Sequence, residues 1–101
     1  MLPISEFQSI KLDPNTRRVI FNSKTIQLRK KEFDLLELLL HNPYRVFTRI
    51  SLLELIWGYN CDNFSNTVDV HISTLRKKLD RQYIQTIYGR GYRLASFTQV
   101  A

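Results

Sequence analysis

Residues 66–80, NTVDVHISTLRKKLD, combine side chains that can read and hold a nucleic acid. On a helix of about 3.6 residues per turn, one side of this segment carries short side chains and a cation. This outer face consists of Asn66, Thr67, Val70, Ser73, Thr74 and Lys77, with His71, Arg76 and Lys78 at its flanks. Short side chains can approach base edges while cations pair with phosphates, so the pattern is typical of a helix in a DNA groove. A solvated helix with a basic end is the alternative.

Other chemistries have little support in the sequence. His71, Asp69 and Cys61 could be imagined as a metal site, but no second histidine lies one helical turn from His71 and there is no CxxC pair. There is also no nucleophile motif, no constellation of paired carboxylates and no glycine-rich phosphate loop. We therefore predict that the protein is not an enzyme and uses no metal and no cofactor. Asp69 is predicted to be an internal ion-pair partner.

The overall charge favours a polyanionic partner. The chain has 101 residues, with 15 Lys and Arg against 9 Asp and Glu, which gives a formal net charge of +6. This excess favours nucleic acid above all, although a soluble basic protein would show it too. The lone Cys61 excludes an internal disulfide. The sequence shows no apolar run of membrane-spanning length and no secretion signal, so we expect a cytoplasmic protein without a membrane partner.

The first elements along the chain are predicted to be a small antiparallel sheet and a helix that covers it. Residues 7–12 alternate between apolar and polar with period two, and residues 18–21 and 24–28 form two further strands around a short turn. Residues 30–41 are rich in strong helix formers, and Asn42-Pro43 ends this helix. Its apolar face comprises Phe33, Leu36, Leu39 and Leu40, with Leu35 to one side.

A second helix and the helix over residues 66–80, called the focal helix here, follow. Val46-Phe47 is a brief extended piece, and Thr48 offers an N-cap to a helix over residues 49–57, which Gly58 ends. Residues 59–65 show no periodicity and are predicted to be a loop. The focal helix should attach to the core through an aliphatic stripe made of Val68, Ile72, Leu75 and Leu79.

The last element is predicted to be a hairpin over residues 83–88 and 92–97, which are rich in aromatic and β-branched residues. Gly89 and Gly91 allow positive φ on both sides of Arg90, which places Arg90 at an exposed tip. Sheet, three helices and hairpin together indicate an α+β fold, a winged helix-turn-helix. Such a fold can place its third helix in the major groove and Arg90, at the wing tip, in the adjacent minor groove.

The chain resembles the OmpR/PhoB-type winged-helix domain, the C-terminal effector module of bacterial two-component response regulators. The matching stretches are residues 31–43 (KEFDLLELLLHNP), 45–49 (RVFTR), 52–58 (LLELIWG), 67–79 (TVDVHISTLRKKL) and 89–93 (GRGYR). The resemblance covers about residues 7–97 of a single domain over residues 1–101. It implies a four-stranded N-terminal sheet, and it implies that the chain is the effector domain of a longer response regulator.

The resemblance also implies roles for single residues in sequence-specific binding of double-stranded promoter DNA. It points to Thr67, His71 and Arg76 at phosphates, Val70 at a thymine methyl, Thr74 at a base-reading position, Trp57 near the backbone, and Thr86 and Tyr92 at wing positions near the backbone. The family often has arginine in place of Asn66 and Tyr88, so the positive wing residue is displaced to Arg90. The helical wheel adds Lys77.

The family also implies protein partners. Its members commonly bind direct-repeat DNA as head-to-tail pairs, so a homodimer on DNA is expected. The loop before the third helix contacts RNA polymerase in the family, and here that loop contains Tyr59, Asn60, Asp62, Asn63 and Phe64. The alternative from another functional class is a winged-helix module that binds proteins through its hairpin or this loop. RNA binding has weaker support, because the wing offers no aromatic platform separate from the core.

Overall fold

The computed structural model describes residues 6–7, 10–21, 23–58, 66–79 and 83–94. The first four elements are strands β1 (Glu6–Phe7), β2 (Ile10–Asp13), β3 (Arg18–Phe21) and β4 (Lys24–Gln27). They are followed by α1 (Lys30–His41), α2 (Arg49–Leu52), a π-helical turn (Leu53–Trp57), α3 (Asn66–Lys78), β5 (Ile84–Ile87) and β6 (Gly91–Leu94). This order confirms the predicted α+β fold, with an N-terminal sheet, three helices and a C-terminal hairpin.

The N-terminal sheet is antiparallel and has the strand order β1-β2-β3-β4. The prediction of one strand over residues 7–12 is wrong. Phe7 pairs with Ile10 and Glu6 pairs with Lys11, so the chain reverses between two strands. A period-two pattern continues through such a reversal, which is why it did not reveal the break. The four strands agree with the sheet that the family resemblance implied.

The inner face of the sheet, the three helices and the hairpin share one hydrophobic core. The predicted apolar face of α1 is buried, and Leu35 is fully buried with it. The buried residues include Ile10, Val19, Phe21, Phe33, Leu36, Leu39, Leu40, Phe47, Leu52, Val68, Ile72, Leu75, Tyr83, Ile84 and Leu94. Phe33 is therefore a core residue, as its aromatic side chain suggested.

The second helix begins at the predicted cap, because the hydroxyl oxygen of Thr48 accepts a hydrogen bond of 3.0 Å from the backbone N–H of Ser51. It then widens into the π-helical turn, which the sequence did not predict. The backbone N–H of Gly58, at φ +108°, donates to the carbonyls of Leu53 (3.2 Å) and Glu54 (2.9 Å) and ends the helix as expected.

The hairpin β5–β6, called the wing below, is attached to the segment before α2. Phe47 and Tyr92 exchange two backbone hydrogen bonds of 2.8 and 2.9 Å, which form an antiparallel bridge. Strand β5 is shorter than predicted, and the turn comprises residues 88–90 instead of 89–91. Gly91 belongs to β6, where it pairs with Ile87. Residues 95–97 of the predicted last strand lie outside the described part of the chain.

Candidate nucleic-acid interface

The orientation of α3 follows its aliphatic stripe. Val68, Ile72 and Leu75 are buried, and Leu79, one residue past the helix, is partly buried against the same core. The predicted stripe is confirmed. Since α3 packs on α1 through this stripe, the opposite side of the helix is free to face a partner.

The outer face of α3 presents a mixture of small polar and apolar groups. Its exposed members are Asn66, Val70, Ser73 and Lys77, and its half-buried members are Thr67 and Thr74. Val70 is 59% exposed, which leaves its methyl groups available for an apolar contact. The hydroxyl of Thr74 donates to the carbonyl of Val70 at 3.1 Å, so its oxygen can still accept a hydrogen bond.

One flank of this face is braced by Trp57. The His71 ring packs edge-on against the Trp57 ring, with centroids 4.8 Å apart, and its Nδ1 lies 2.8 Å from the carbonyl oxygen of Thr67. A carbonyl only accepts, so Nδ1 carries a hydrogen and Nε2 is the nitrogen left for a partner. Trp57 also packs on the core and takes a contact from Lys31, whose Nζ lies 6.0 Å from the ring centroid. The structure therefore gives Trp57 a packing role.

Three residues that were predicted to contact DNA meet in a joint between α3 and the wing. Arg76 donates from Nε and Nη2 to the carbonyl of Ile84, at 3.1 and 2.8 Å, and from Nη2 to the hydroxyl of Thr86 at 2.8 Å. The guanidinium also lies 5.5 Å from the centroid of the Tyr92 ring. These acceptors orient the Arg76 side chain towards the wing, and its contact with a phosphate stays a prediction.

Asp69 connects the same joint to α2. The Tyr92 hydroxyl donates a hydrogen bond of 2.5 Å to Oδ1 of Asp69, and Nη1 of Arg49 lies 3.2 Å from Oδ2. The predicted role of Asp69 as an internal ion-pair partner is confirmed. Burial, the hydrogen bond to Asp69 and its negative charge together raise the pKa of Tyr92 to about 12, so this phenol stays a donor. We call Asp69, Arg76, Thr86 and Tyr92 the wing joint.

The wing turn projects an arginine and an aromatic ring. Arg90 is exposed, and its backbone N–H donates to the carbonyl of Ile87 at 2.8 Å, which closes the turn. Tyr88 is 90% exposed beside it. The sequence analysis did not select Tyr88 as a site residue. Its position directly before the turn glycine, near Arg90, was the signal available in the sequence.

A cleft of about 580 Å³ separates the wing from the start of α2. Its lining includes Arg49 on one side and Arg90 on the other, together with Thr48, Ile50 and residues 86–92. Two arginines across an open cleft attract an anionic chain, and phosphates are the anions that arginine recognises best.

Some of the predicted site residues do not belong to the part of the chain that the structure describes. Tyr59, Asn60, Asp62, Asn63 and Phe64 of the predicted polymerase loop lie outside the described residues, as does Cys61. Among the described residues, no helix has both the length and the apolar character needed to cross a membrane. The same part of the chain contains no group of three potential metal ligands.

Comparison with known proteins agrees with this geometry. Residues 23–94 match the family described as "Transcriptional regulatory protein, C terminal", which is not an enzyme class. The Vibrio cholerae transcriptional regulatory protein VxrB is 45% identical over 86 residues, which are 85% of this chain and 35% of VxrB. The uncharacterized transcriptional regulatory protein YclJ of Bacillus subtilis is 44% identical over 92 residues, 87% of this chain and 40% of YclJ. This chain thus spans about two fifths of the curated relatives it matches.

A solved structure shows the same fold with a nucleic acid. The DNA-binding domain of the response regulator AdeR, in complex with an intercistronic region, superimposes with a TM-score of 0.77 at 33% identity. The match covers 91% of this chain and 99% of the AdeR domain. Together with the matched family, this likeness shows that the chain belongs to the C-terminal domains of transcriptional regulatory proteins, the winged-helix DNA-binding domains of OmpR/PhoB-type response regulators.

Proposed function

We propose that this domain carries out sequence-specific binding of double-stranded promoter DNA by placing α3 in the major groove and Arg90 in the adjacent minor groove. The observation that carries the proposal is the two-sided character of α3. Its stripe is buried, while Val70, Ser73 and Thr74 point away from the core. Side chains of this size let a helix approach base edges closely. Transcription regulation is the function of the family, and the AdeR domain is the relative seen with DNA.

Affinity would come from cations around that face. Lys77 is exposed on α3, and Arg49 and Arg90 line the cleft between α2 and the wing. With α3 in one groove and the wing in the next, the sugar-phosphate chain between the grooves would lie along this cleft. Thr67 and His71 lie on the flank of α3 where the resemblance implies phosphate contacts, and the hydroxyl of Thr67 would donate to the same chain. Affinity should therefore fall steeply as salt is added.

The wider setting follows from family membership and remains part of the proposal. The matched relatives are longer, so we infer that this domain is the effector part of a response regulator that works in the bacterial cytoplasm. We also infer that it binds direct repeats as a homodimer. The segment between the second helix and α3 would meet RNA polymerase, as the family resemblance implies, through Tyr59, Asn60, Asp62, Asn63 and Phe64.

A gel-shift titration at fixed salt tests the proposal. The domain is titrated with a duplex selected from a random pool and with an unselected duplex, and Arg90→Ala and Val70→Ala/Thr74→Ala are compared with the natural sequence. We expect the natural domain to prefer the selected duplex and both variants to lose affinity for it. If both variants bind the selected duplex as tightly as the natural domain, the mechanism is wrong. A failure to bind any duplex would favour a protein-interaction module.

A further inference from the structure

The wing has a main-chain attachment that leaves one motion open. Phe47 and Tyr92 are joined by two hydrogen bonds between the same pair of residues. A third bond, from the backbone N–H of Tyr44 to the carbonyl of Leu94 at 2.9 Å, lies on the same edge of β6. Bonds along one edge of a strand leave the hairpin able to tilt about that edge unless a point away from it is also held. Arg90 lies beyond the ends of β5 and β6, so a small tilt at the bridge becomes a larger displacement of the guanidinium.

The side chains of the wing joint hold the wing to α3 at positions away from this edge of β6. Tyr92 holds β6 to α3 through Asp69, and Arg76 holds β5 to α3 through the carbonyl of Ile84 and the hydroxyl of Thr86. Asp69 is itself fixed by Arg49. The wing is thus connected to α3 on both strands.

We propose that Tyr92, through Asp69, is a positioning residue that sets the place of Arg90 relative to α3. It thereby fixes the distance along the duplex between the base pairs at α3 and the minor-groove contact. This inference rests on the proposed function. Tyr92 does not need to touch DNA for this role. Its side chain is 9% exposed and its hydroxyl is committed to Asp69, so its effect on DNA passes through the wing.

The raised pKa of Tyr92 is consistent with this role, because the phenol keeps its proton at every pH at which the domain would be assayed. The same hydrogen bond also partly neutralises the carboxylate of Asp69. A bare carboxylate on a DNA-facing helix would repel phosphates, whereas this one has a donor on each oxygen.

A double-mutant cycle between Tyr92→Phe and Arg90→Ala tests the proposal. Tyr92→Phe removes one hydroxyl and keeps the buried ring. Asp69 keeps Arg49, and its half-exposed carboxylate can bind water in place of the phenol, so we expect the variant to fold. Affinity for the selected duplex is measured for the natural domain, both single variants and the double variant, and folding is checked by thermal unfolding.

We expect Tyr92→Phe to weaken binding at least about threefold in the natural background and to have no further effect in the Arg90→Ala background, as coupled sites do. The inference is overturned if the loss is the same in both backgrounds or if Tyr92→Phe has no effect, while Arg90→Ala still weakens binding. If Arg90→Ala itself leaves binding unchanged, the proposed use of the wing fails as well.

A second cycle uses Thr86→Val, which removes an acceptor of Arg76 on β5 and leaves Asp69 and Tyr92 in place. It tests the link through Arg76, so it supports or overturns the wing joint as a whole if Tyr92→Phe does not fold. Loss of affinity that disappears in the Arg90→Ala background supports a positioning joint. An equal loss in both backgrounds overturns it.

Discussion

Nζ of Lys78 lies 2.7 Å from Oε1 of Glu32, so the last turn of α3 is tied to the first turn of α1. The same carboxylate oxygen accepts from the backbone N–H of Arg29 at 3.0 Å, which caps α1. Glu32 is buried, whereas Lys78 is partly exposed. The position of α3 on the core thus depends at one end on a buried ion pair as well as on the aliphatic stripe.

We predict that Glu32→Gln destabilises the domain in a pH-dependent way. Burial opposes ionisation of Glu32, but the hydrogen bonds from Lys78 and the Arg29 backbone and the charges of both residues lower its pKa below the ordinary value. A lowered pKa stabilises the fold above the unfolded-state pKa, and this stability is lost as pH falls through the folded-state pKa. The variant should lose about 1–2 kcal/mol at pH 7 and little at pH 3, measured by urea unfolding.

Asp34→Asn is the matched control for this prediction. Asp34 also lies on α1 and also pairs with a lysine, Lys30, at 3.0 Å, but the lysine side chain is 63% exposed. A surface pair of this kind contributes about 0.5 kcal/mol or less. If the two variants are destabilised equally at pH 7, or if the loss in Glu32→Gln does not shrink towards acid, the buried pair does not have the role assigned here.

We predict that Gly91→Ala disrupts the wing far more than Gly89→Ala. Both glycines have positive φ, +144° and +77°, so an alanine is strained at either position. At Gly91 a Cβ would also stand 1.9 Å from the carbonyl oxygen of Phe47, where the wing bridge forms, whereas at Gly89 it meets open space. Gly91→Ala should therefore cost about 3 kcal/mol or more and Gly89→Ala about 1–2 kcal/mol in urea unfolding. Similar losses of unfolding free energy in the two variants would show that the Phe47–Tyr92 bridge can shift to make room for the added Cβ.

The sequence alone predicted most of the helical structure and the orientation of α3. The bounds of α1 match the predicted residues 30–41, because its periodicity and the proline that ends it are both local signals. The cap at Thr48 and the buried stripe of α3 were predicted for the same reason. The outward placement of Val70 then follows from helix geometry.

The internal connections could not be predicted, because they join residues far apart in the chain. Arg76 meets Ile84 and Thr86 only after the wing has folded onto α3. A basic residue on a basic helix looks the same in sequence whether its charge faces a phosphate or an internal carbonyl. The two-residue bridge at Phe47 escaped prediction likewise, since one extended pair carries no periodicity.

We predict that Lys77→Ala weakens binding to all duplexes to a similar degree. Lys77 is exposed, and within residues 66–79 and the other described segments it has no ion pair that would keep it from a phosphate. Loss of one phosphate contact should reduce the slope of log affinity against log salt by about 1. Lys24→Ala, an exposed lysine on β4, should leave that slope unchanged. Equal changes in both variants would mean that only net charge matters.

The opposite outcome is predicted for Thr74→Ala and Val70→Ala, which should change base preference more than overall affinity. The Thr74 oxygen can accept from a base, and the exposed methyls of Val70 can meet the methyl of thymine. Loss of either contact should cost about 1–3 kcal/mol of discrimination at one base pair. Folding stability should change by only about 0.5 kcal/mol, because both groups lie on the outer face. Selection of bound sites from a random duplex pool measures the preference, and titration of an unselected duplex is the control. A uniform loss on all duplexes, like that expected of Lys77→Ala, would mean that these side chains hold the backbone and do not read bases.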